Sequence, residues 1–532
     1  MLRIALICTL GLSQAPPSGA NPGLYLRGEY REDARDYEST VGRFYRLVSS
    51  LLLSERSSLN LTLVRNADQS RSHTWSLVLA DLSPGLYLAA GNFTARFGSG
   101  LVLGKPQVYT PDIFSSRGMS DDRSVFHPVK SGNPSFAFNG IAASYRTGSE
   151  SISLALHSFY SIAPRYLGEG DYYSSGTRSS LSTVQDSLER DYAHSEPAVI
   201  RTGGVMLSLI ALGVFLVEPY FVYTDLATAD GRSIDWDREE RDGIESSTRD
   251  VCGAGAALRY RDERIDVFLD YARSSTGKSR EDREGYRDEG DGIVGGARFS
   301  HPMLSLSLIS KHTRADFYAP YQSTVGARYP ERGVFFETEL RPMNGVAAGA
   351  FFSAQKKLLP ASADRELPYT TREKYYLRYS GRRIKSAELH ARRYEKTSRG
   401  VPSRSEQAAL ALRAKIIEFL DAEASFTAQR SDPGGWAALT KTGLVARAGT
   451  AAELSLQYAR SRVSERERIY SVMAPLANSS IPGMFIDRTS HVLASRLVVR
   501  LESFHLAARY FMQWSHGGSG HRRLEFSASG TF

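Results

Sequence analysis

Alternation with a period of two, held for nine or more residues at a time, is the feature that most narrows what this chain can become. Leu304, Leu306 and Leu308 are separated by Ser305 and Ser307. Ile265, Val267, Leu269 and Tyr271 alternate with Asp266, Phe268 and Asp270. Leu454, Leu456 and Tyr458 alternate with Glu453, Ser455 and Gln457, and Phe504, Leu506, Tyr510, Met512 and Trp514 with His505, Arg509 and Gln513. A helix would scatter such residues around its axis, whereas a strand gathers them on one face. The runs also exceed the ~5–6 residues usual for strands of soluble proteins.

No stretch of the chain is long and uncharged enough to span a bilayer as a helix. A membrane β-barrel spreads its apolar signal thinly over alternating positions, which fits a chain that is 42% hydrophobic yet 23% charged. The 28 Tyr, 24 Phe and 4 Trp residues point the same way. The connections add a second signal. Tight turns near Gly148-Ser149, Ala211-Leu212, Asp262-Glu263, His301-Pro302, Pro342-Asn344, Gly381-Arg383, Gly449-Thr450 and Arg500-Glu502 alternate with longer polar stretches. The longer ones include Ala163 to Ile200, Ala227 to Asp250, Ser274 to Asp291, Thr313 to Arg332, Lys356 to Arg372, Thr397 to Ser405 and Arg462 to Pro482. An outer-membrane barrel sorts its connections in this way, with short periplasmic turns and long external loops. The expectation is an all-β fold, a large transmembrane antiparallel barrel of about 24 strands (22–26). Its first five strands are expected near Leu24–Arg31, Phe44–Leu53, Leu59–Asn66, His73–Leu82 and Leu86–Phe97.

The two ends carry export and assembly signals. Arg3, the apolar run Ile4 to Leu12 and the small residues Ser18-Gly19-Ala20 read as a secretory signal peptide over residues 1–20, leaving 21–532 as the barrel. Cys8 lies in that leader, so Cys252 is the single thiol expected in the mature chain and a disulfide framework is excluded. In the last ten residues Leu524, Phe526, Ala528, Gly530 and Phe532 alternate with polar residues. A final amphipathic strand with Phe526 and a terminal Phe532 resembles the signal by which the barrel-assembly machinery recognises bacterial outer-membrane proteins.

The most distinctive segment is Gly91-Asn92-Phe93-Thr94-Ala95-Arg96-Phe97-Gly98-Ser99-Gly100-Leu101-Val102-Leu103-Gly104. A strand here runs into a glycine-rich bend, where backbone must take positive φ or approach other backbone closely. Residues 99–136 are too long for a turn and are expected to fold into the lumen as a constriction or small plug, with Phe97, Gly98 and Gly100 at the narrowing. A phosphate-binding loop is not expected, because no Lys-Ser/Thr pair and no helix follow the glycines. The block resembles one in the barrel portion of large outer-membrane proteins that carry a competence-type helix-hairpin-helix module, in Bacteroidota-like bacteria. That resemblance implies an outer-membrane barrel. The chain lacks the helical module between the leader and Leu24, so a DNA-related role is not carried over and no nucleic-acid partner is expected.

Arginine supplies 55 of the 66 basic residues, and the net charge is +8. The positive charge forms no dominant block, as a nucleic-acid footprint would require. Alternation places Arg27, Arg259, Arg261, Asp266, Asp270, Glu337, Glu339, Arg378, Arg392, Arg447, Arg496 and Arg509 on the lumen face. Two readings of this mixed, slightly basic wall stay open: cross-strand pairing that stabilises the lumen, and a preference for anionic solutes. Catalytic and metal signatures are lacking, with 11 scattered histidines and no His-Glu-x-x-His motif. Neither an enzyme nor a cofactor is expected. Passage or export of a solute or polymer is the leading function, and a scaffold barrel in an envelope complex or an outer-membrane hydrolase are the alternatives. The expected partners are outer-membrane lipid, lipopolysaccharide, the barrel-assembly machinery and other envelope proteins.

Overall fold

A computed structural model describes residues 23–531 apart from 36–41, 55–56, 66–70, 81–82, 105–124, 130–136, 150, 168–181, 184–195, 229–238, 242–243, 280–286, 315–316, 318–330, 358–368, 399–400, 433–434, 465–468, 472–483, 487–488 and 516–519. The leader and Phe532 therefore lie outside the described residues, as does most of 99–136.

The wall begins with β1 (Gly23–Arg35), β2 (Gly42–Leu52), β3 (Ser58–Arg65), β4 (Arg71–Ala80), β5 (Leu86–Ala95), β6 (Phe138–Gly148), β7 (Ile152–Leu167) and β8 (Glu196–Ala211). It continues through β9 (Phe215–Thr228), β10 (Ile244–Arg261), β11 (Ile265–Ser279), β12 (Arg287–His301), β13 (Leu304–Thr313), β14 (Glu331–Met343), β15 (Val346–Lys357) and β16 (Tyr369–Tyr379). The last third is β17 (Ile384–Ser398), β18 (Val401–Ile417), β19 (Leu420–Asp432), β20 (Trp436–Ala448), β21 (Ala452–Val463), β22 (Ser490–Leu501), β23 (Phe504–Trp514) and β24 (Gly520–Thr531). Each strand pairs antiparallel with the next, and β24 returns to β1 in a register running from Tyr25↔Thr531 to Arg35↔His521. The result is a closed 24-strand barrel. Closure satisfies every ladder edge within the wall, the condition for placing strands in hydrocarbon.

Alternation is visible in the burial of each strand. In β3, Leu59, Leu61 and Leu63 are 41–44% exposed while Asn60 and Thr62 between them are 1% exposed. The exposed set forms the outer, lipid-facing surface. It is dominated by Leu, Ile, Val and aromatic side chains, including Trp75, Tyr160, Phe221, Tyr271, Tyr375 and Trp436. A closed barrel with this apolar exterior is an outer-membrane architecture, and the protein belongs in the bacterial outer membrane.

The eleven connections that follow even-numbered strands span only two to five residues, so they all lie at one end of the barrel. By the general rule this short-turn end is periplasmic. The stretch Thr397 to Ser405, expected as a long connection, is instead the paired ends of β17 and β18, joined through 399–400. Both faces are polar there: Arg393 pairs with Glu395, and Arg404 with Glu406, on the outward side. Strand that rises beyond the apolar belt loses its period of two and so reads as loop.

A candidate conduit and its infolded segment

Strand β5 parts from β4 after Gly91 and from the wall after Phe93. Its ladder with β4 covers Ser76–Ala80 against Tyr87–Gly91, while its other edge pairs with β6 over Leu86–Phe93. Gly91 takes φ +86°, and a Cβ at that position would collide with the carbonyl of Trp75. The Asn92 side chain accepts the Trp75 N–H at 3.0 Å, replacing the ladder bond that the bend removes. Beyond it, Phe93–Ala95 pair with the short strand Phe126–Pro128.

Residues Phe97–Gly104 then double back on the inner face of the wall. The Phe97 N–H donates to Leu103 O at 2.9 Å and the Gly100 N–H to Phe97 O at 3.0 Å, a tight loop. Gly98 (φ +53°) and Gly100 (φ +90°) provide its left-handed corners. Glycine at 98 is also required by space, because a Cβ would meet Asp270 Oδ2 at 2.8 Å and Tyr220 Cε1 at 3.0 Å. Phe97, Leu101 and Leu103 are fully buried, as are Phe93 and Phe126. They pack with Phe138, Phe159, Met206, Tyr220 and Phe268 from the inner faces of β6 to β11. The aromatic rings meet mostly edge to face, Phe97 on Phe159 at 5.8 Å and Phe93 on Phe126 at 5.9 Å, which is the arrangement that ring quadrupoles favour.

One buried carboxylate pins this loop to the wall. Asp270 on β11 accepts the Ser99 N–H at 2.8 Å and the Ser99 hydroxyl at 2.6 Å on Oδ2, and the Tyr220 hydroxyl at 2.7 Å on Oδ1. Arg96 closes the loop from the other side by donating to Ser99 O at 3.0 Å. Alternation places Asp270 on the inner face but gives no sign of its partners Ser99 and Tyr220. They lie 171 and 50 residues away, and only barrel register brings them together.

The rest of the lumen is lined differently. Towards the short-turn end an interrupted girdle of ion pairs runs around the inner face. Arg27 and Arg46 meet Glu29, and Arg259 meets Asp266 with a 2.7 Å bond from Nε. Arg341 Nε and the Tyr376 hydroxyl donate to Glu339 at 2.7 and 2.6 Å. Arg378 lies 3.7 Å from Glu388. Asp421 receives Lys385, Arg413 and Arg447 at 2.8, 3.1 and 2.6 Å. Arg447 and Arg496 both reach Glu453, and Arg509 pairs with Glu525 at 3.1 Å. Most of the lumen candidates thus gather in one band, and Lys385 joins it unforeseen because it sits at a register shift at the start of β17. Four stand apart: Asp270 holds the infolded loop, Arg261 is exposed beside a turn, and Glu337 and Arg392 are exposed on the inner face. Phe526 lies on the outer surface, 43% exposed, with Tyr30 as its partner across the closing seam.

Among the described residues no group of three or more His, Cys, Asp or Glu side chains converges to hold a metal. No family model and no curated protein matches the chain. Solved structures similar in form include the ferric enterobactin receptor PfeA from Pseudomonas aeruginosa, with TM-score 0.46 and 10% identity over 97% of this chain and 81% of that one. The copper transporter OprC is similar at TM-score 0.43 and 10% identity over 98% and 82%. The translocation pore of the P pilus usher PapC is similar at TM-score 0.42 and 10% identity over 96% and 99%.

Proposed function

We propose that the barrel carries a hydrophilic solute or polymer across the outer membrane, through the side of the lumen walled by β15 to β24 and β1 to β3. The observation that carries this reading is the division of the inner wall. One side is apolar and already covered by Phe97–Gly104, with Phe93, Phe97 and Phe159 at its centre. The opposite side presents charged and amide side chains, of which Arg372, Arg378 and Arg392 remain exposed. Apolar surface inside a lumen repels a hydrated solute, whereas a polar wall with exposed cations can replace part of its hydration. Residues 97–104 narrow this path from one side. Phe526 on the terminal strand serves recognition by the barrel-assembly machinery, and the outer surface contacts lipid and lipopolysaccharide.

Planar-bilayer recording of the purified, folded barrel tests the reading. The expected result is steady conductance that rises when the infolded loop is released by Asp270→Ala. A barrel silent in both forms would overturn the conduit and leave a scaffold.

A further inference from the structure

On the inner faces of β15 to β18, the described residues carry only one carboxylate, Glu388, at the short-turn end. The same surface holds Arg372, Lys374 and Arg378 on β16, and Arg392 and Lys396 on β17. Arg378 has Glu388 as its partner. No carboxylate among the described residues pairs with the other four. Lys374 and Arg392 are moreover directly opposite one another in the β16–β17 register. Like charges facing across a ladder destabilise it, and the fields of Glu388 and Glu337 at Lys374 offset this only in part.

Two features hold these cations in place. Lys374 and Arg378 lie against the Tyr376 ring at 5.2 and 4.3 Å, and Arg372 lies against Tyr394 at 5.4 Å. Such contacts orient a cation without neutralising it. Following the Lys374–Arg392 row around the wall leads next to Gln407 on β18 and Gln429 on β19. The adjacent row continues from Arg372 and Tyr394 to Ser405 and Ser431. Cations therefore stand beside amides and hydroxyls, at strand spacings of about 4.8 Å.

We propose that this face is a binding track for an acidic glycan chain, in which carboxylates meet the Arg and Lys side chains and hydroxyls meet Gln407, Gln429 and the serines. The assignment deepens the conduit reading and rests on it for the route by which the glycan arrives. A single-stranded nucleic acid is disfavoured because base stacking needs open aromatic faces. Here Tyr376 is only 8% exposed and both tyrosine rings are occupied by cations.

The test is equilibrium binding of a fluorescein-labelled oligogalacturonate decamer to the folded barrel in detergent, read by fluorescence anisotropy. Binding should weaken about tenfold or more in Arg372→Ala/Lys374→Ala/Arg392→Ala, the sum of three modest solvent-exposed charge contacts. It should also weaken with added salt. Gln407→Ala/Gln429→Ala should weaken oligogalacturonate but leave inorganic polyphosphate unchanged, a difference that mere charge attraction would not produce. Heat-modifiable gel migration verifies that each variant is folded, and Arg392→Gln replaces the triple variant if that one is not. Equal binding by the parent and charge-removal variants would overturn the track. So would tighter binding of a ten-nucleotide oligo-dT or of polyphosphate. A barrel that binds the glycan but never conducts keeps the track and fails the conduit; one that conducts without binding does the reverse.

Discussion

Replacing Asp270 by alanine should free the infolded loop while leaving the wall intact. The carboxylate accepts three hydrogen bonds, at 2.8, 2.6 and 2.7 Å, from Ser99 N–H, Ser99 Oγ and Tyr220 Oη. It is 1% exposed, so water does not compete for those donors. Two of these bonds, both from Ser99, join the loop to the wall, while the Tyr220 bond links β9 to β11. Bonds to a charged group contribute about 1.5–3 kcal/mol each, and taking the lower figure twice gives about 3 kcal/mol. At about 1.4 kcal/mol per tenfold, the loop's attachment constant should fall about a hundredfold. Hydrogen exchange followed by mass spectrometry reads this directly. The amides of Phe97, Ser99 and Gly100, each bonded in the parent, should lose most of their protection, while peptides from β9 to β12 keep theirs. Asp270→Asn, which retains an amide oxygen for Ser99, should fall between the two. Unchanged protection of residues 97–103 in Asp270→Ala would refute the reasoning and shift the anchoring to the aromatic cluster alone.

Further outcomes follow from features elsewhere in the barrel. Lys311 and Glu331 form a buried pair at 3.2 Å, with side chains 0% and 1% exposed. Lys311→Met should cost about 3–5 kcal/mol, with the double variant Lys311→Met/Glu331→Leu recovering most of it, seen in guanidinium unfolding midpoints. Gly91→Val forces a β-branched residue into positive φ against the Trp75 carbonyl. It should cost upwards of about 1–3 kcal/mol and raise hydrogen exchange along Ser76–Ala80. Asp262, in the turn after β10, accepts the N–H groups of Arg264 and Ile265, each at 2.7 Å, and the Tyr260 hydroxyl at 2.8 Å, which hold its carboxyl below the usual range. A carboxyl lowered by folding stabilises above its unfolded value and loses that contribution as the pH falls through the folded one. Asp262→Ala should therefore lower the thermal midpoint at neutral pH, and the gap between the two proteins should close as the pH falls below the ordinary carboxylate range.

The wall was legible because lipid imposes a strict rule: wherever a strand crosses the apolar belt, every second residue must be apolar. That rule reads β3, β11 and β21 directly from Leu59–Leu63, Ile265–Tyr271 and Leu454–Tyr458. It fails above the belt, where Arg393, Glu395, Arg404 and Glu406 occupy outward positions and hide the ends of β17 and β18. The interior was legible by half. Parity assigns Asp270, Arg447 or Arg496 to the lumen, and the chirality cost of positive φ marks Gly98 and Gly100 as corners. What each inner residue meets depends on cross-barrel register and on how the loop doubles back, and local sequence carries neither. Ser99 gives no sign of its bond to Asp270 until both are placed. Glu331, partner of Lys311, lay in a stretch read as connection.

The loop from Phe97 to Gly104 also bears on the protein's passage to the membrane. The strands it covers are apolar on both sides: Met206, Tyr220 and Val222 face inward, and Val205, Leu207, Leu209, Phe221 and Tyr223 face lipid. In aqueous transit such a segment is a strong aggregation hazard, relieved locally by Gly203, Gly204, Ser208, Glu218 and Pro219. Proline at 219 also withholds one amide from any intermolecular ladder. A loop that reaches the same patch from earlier in the chain can shield half of that surface before lipid shields the other. Its loss would then lower the yield of inserted protein as well as widen the lumen.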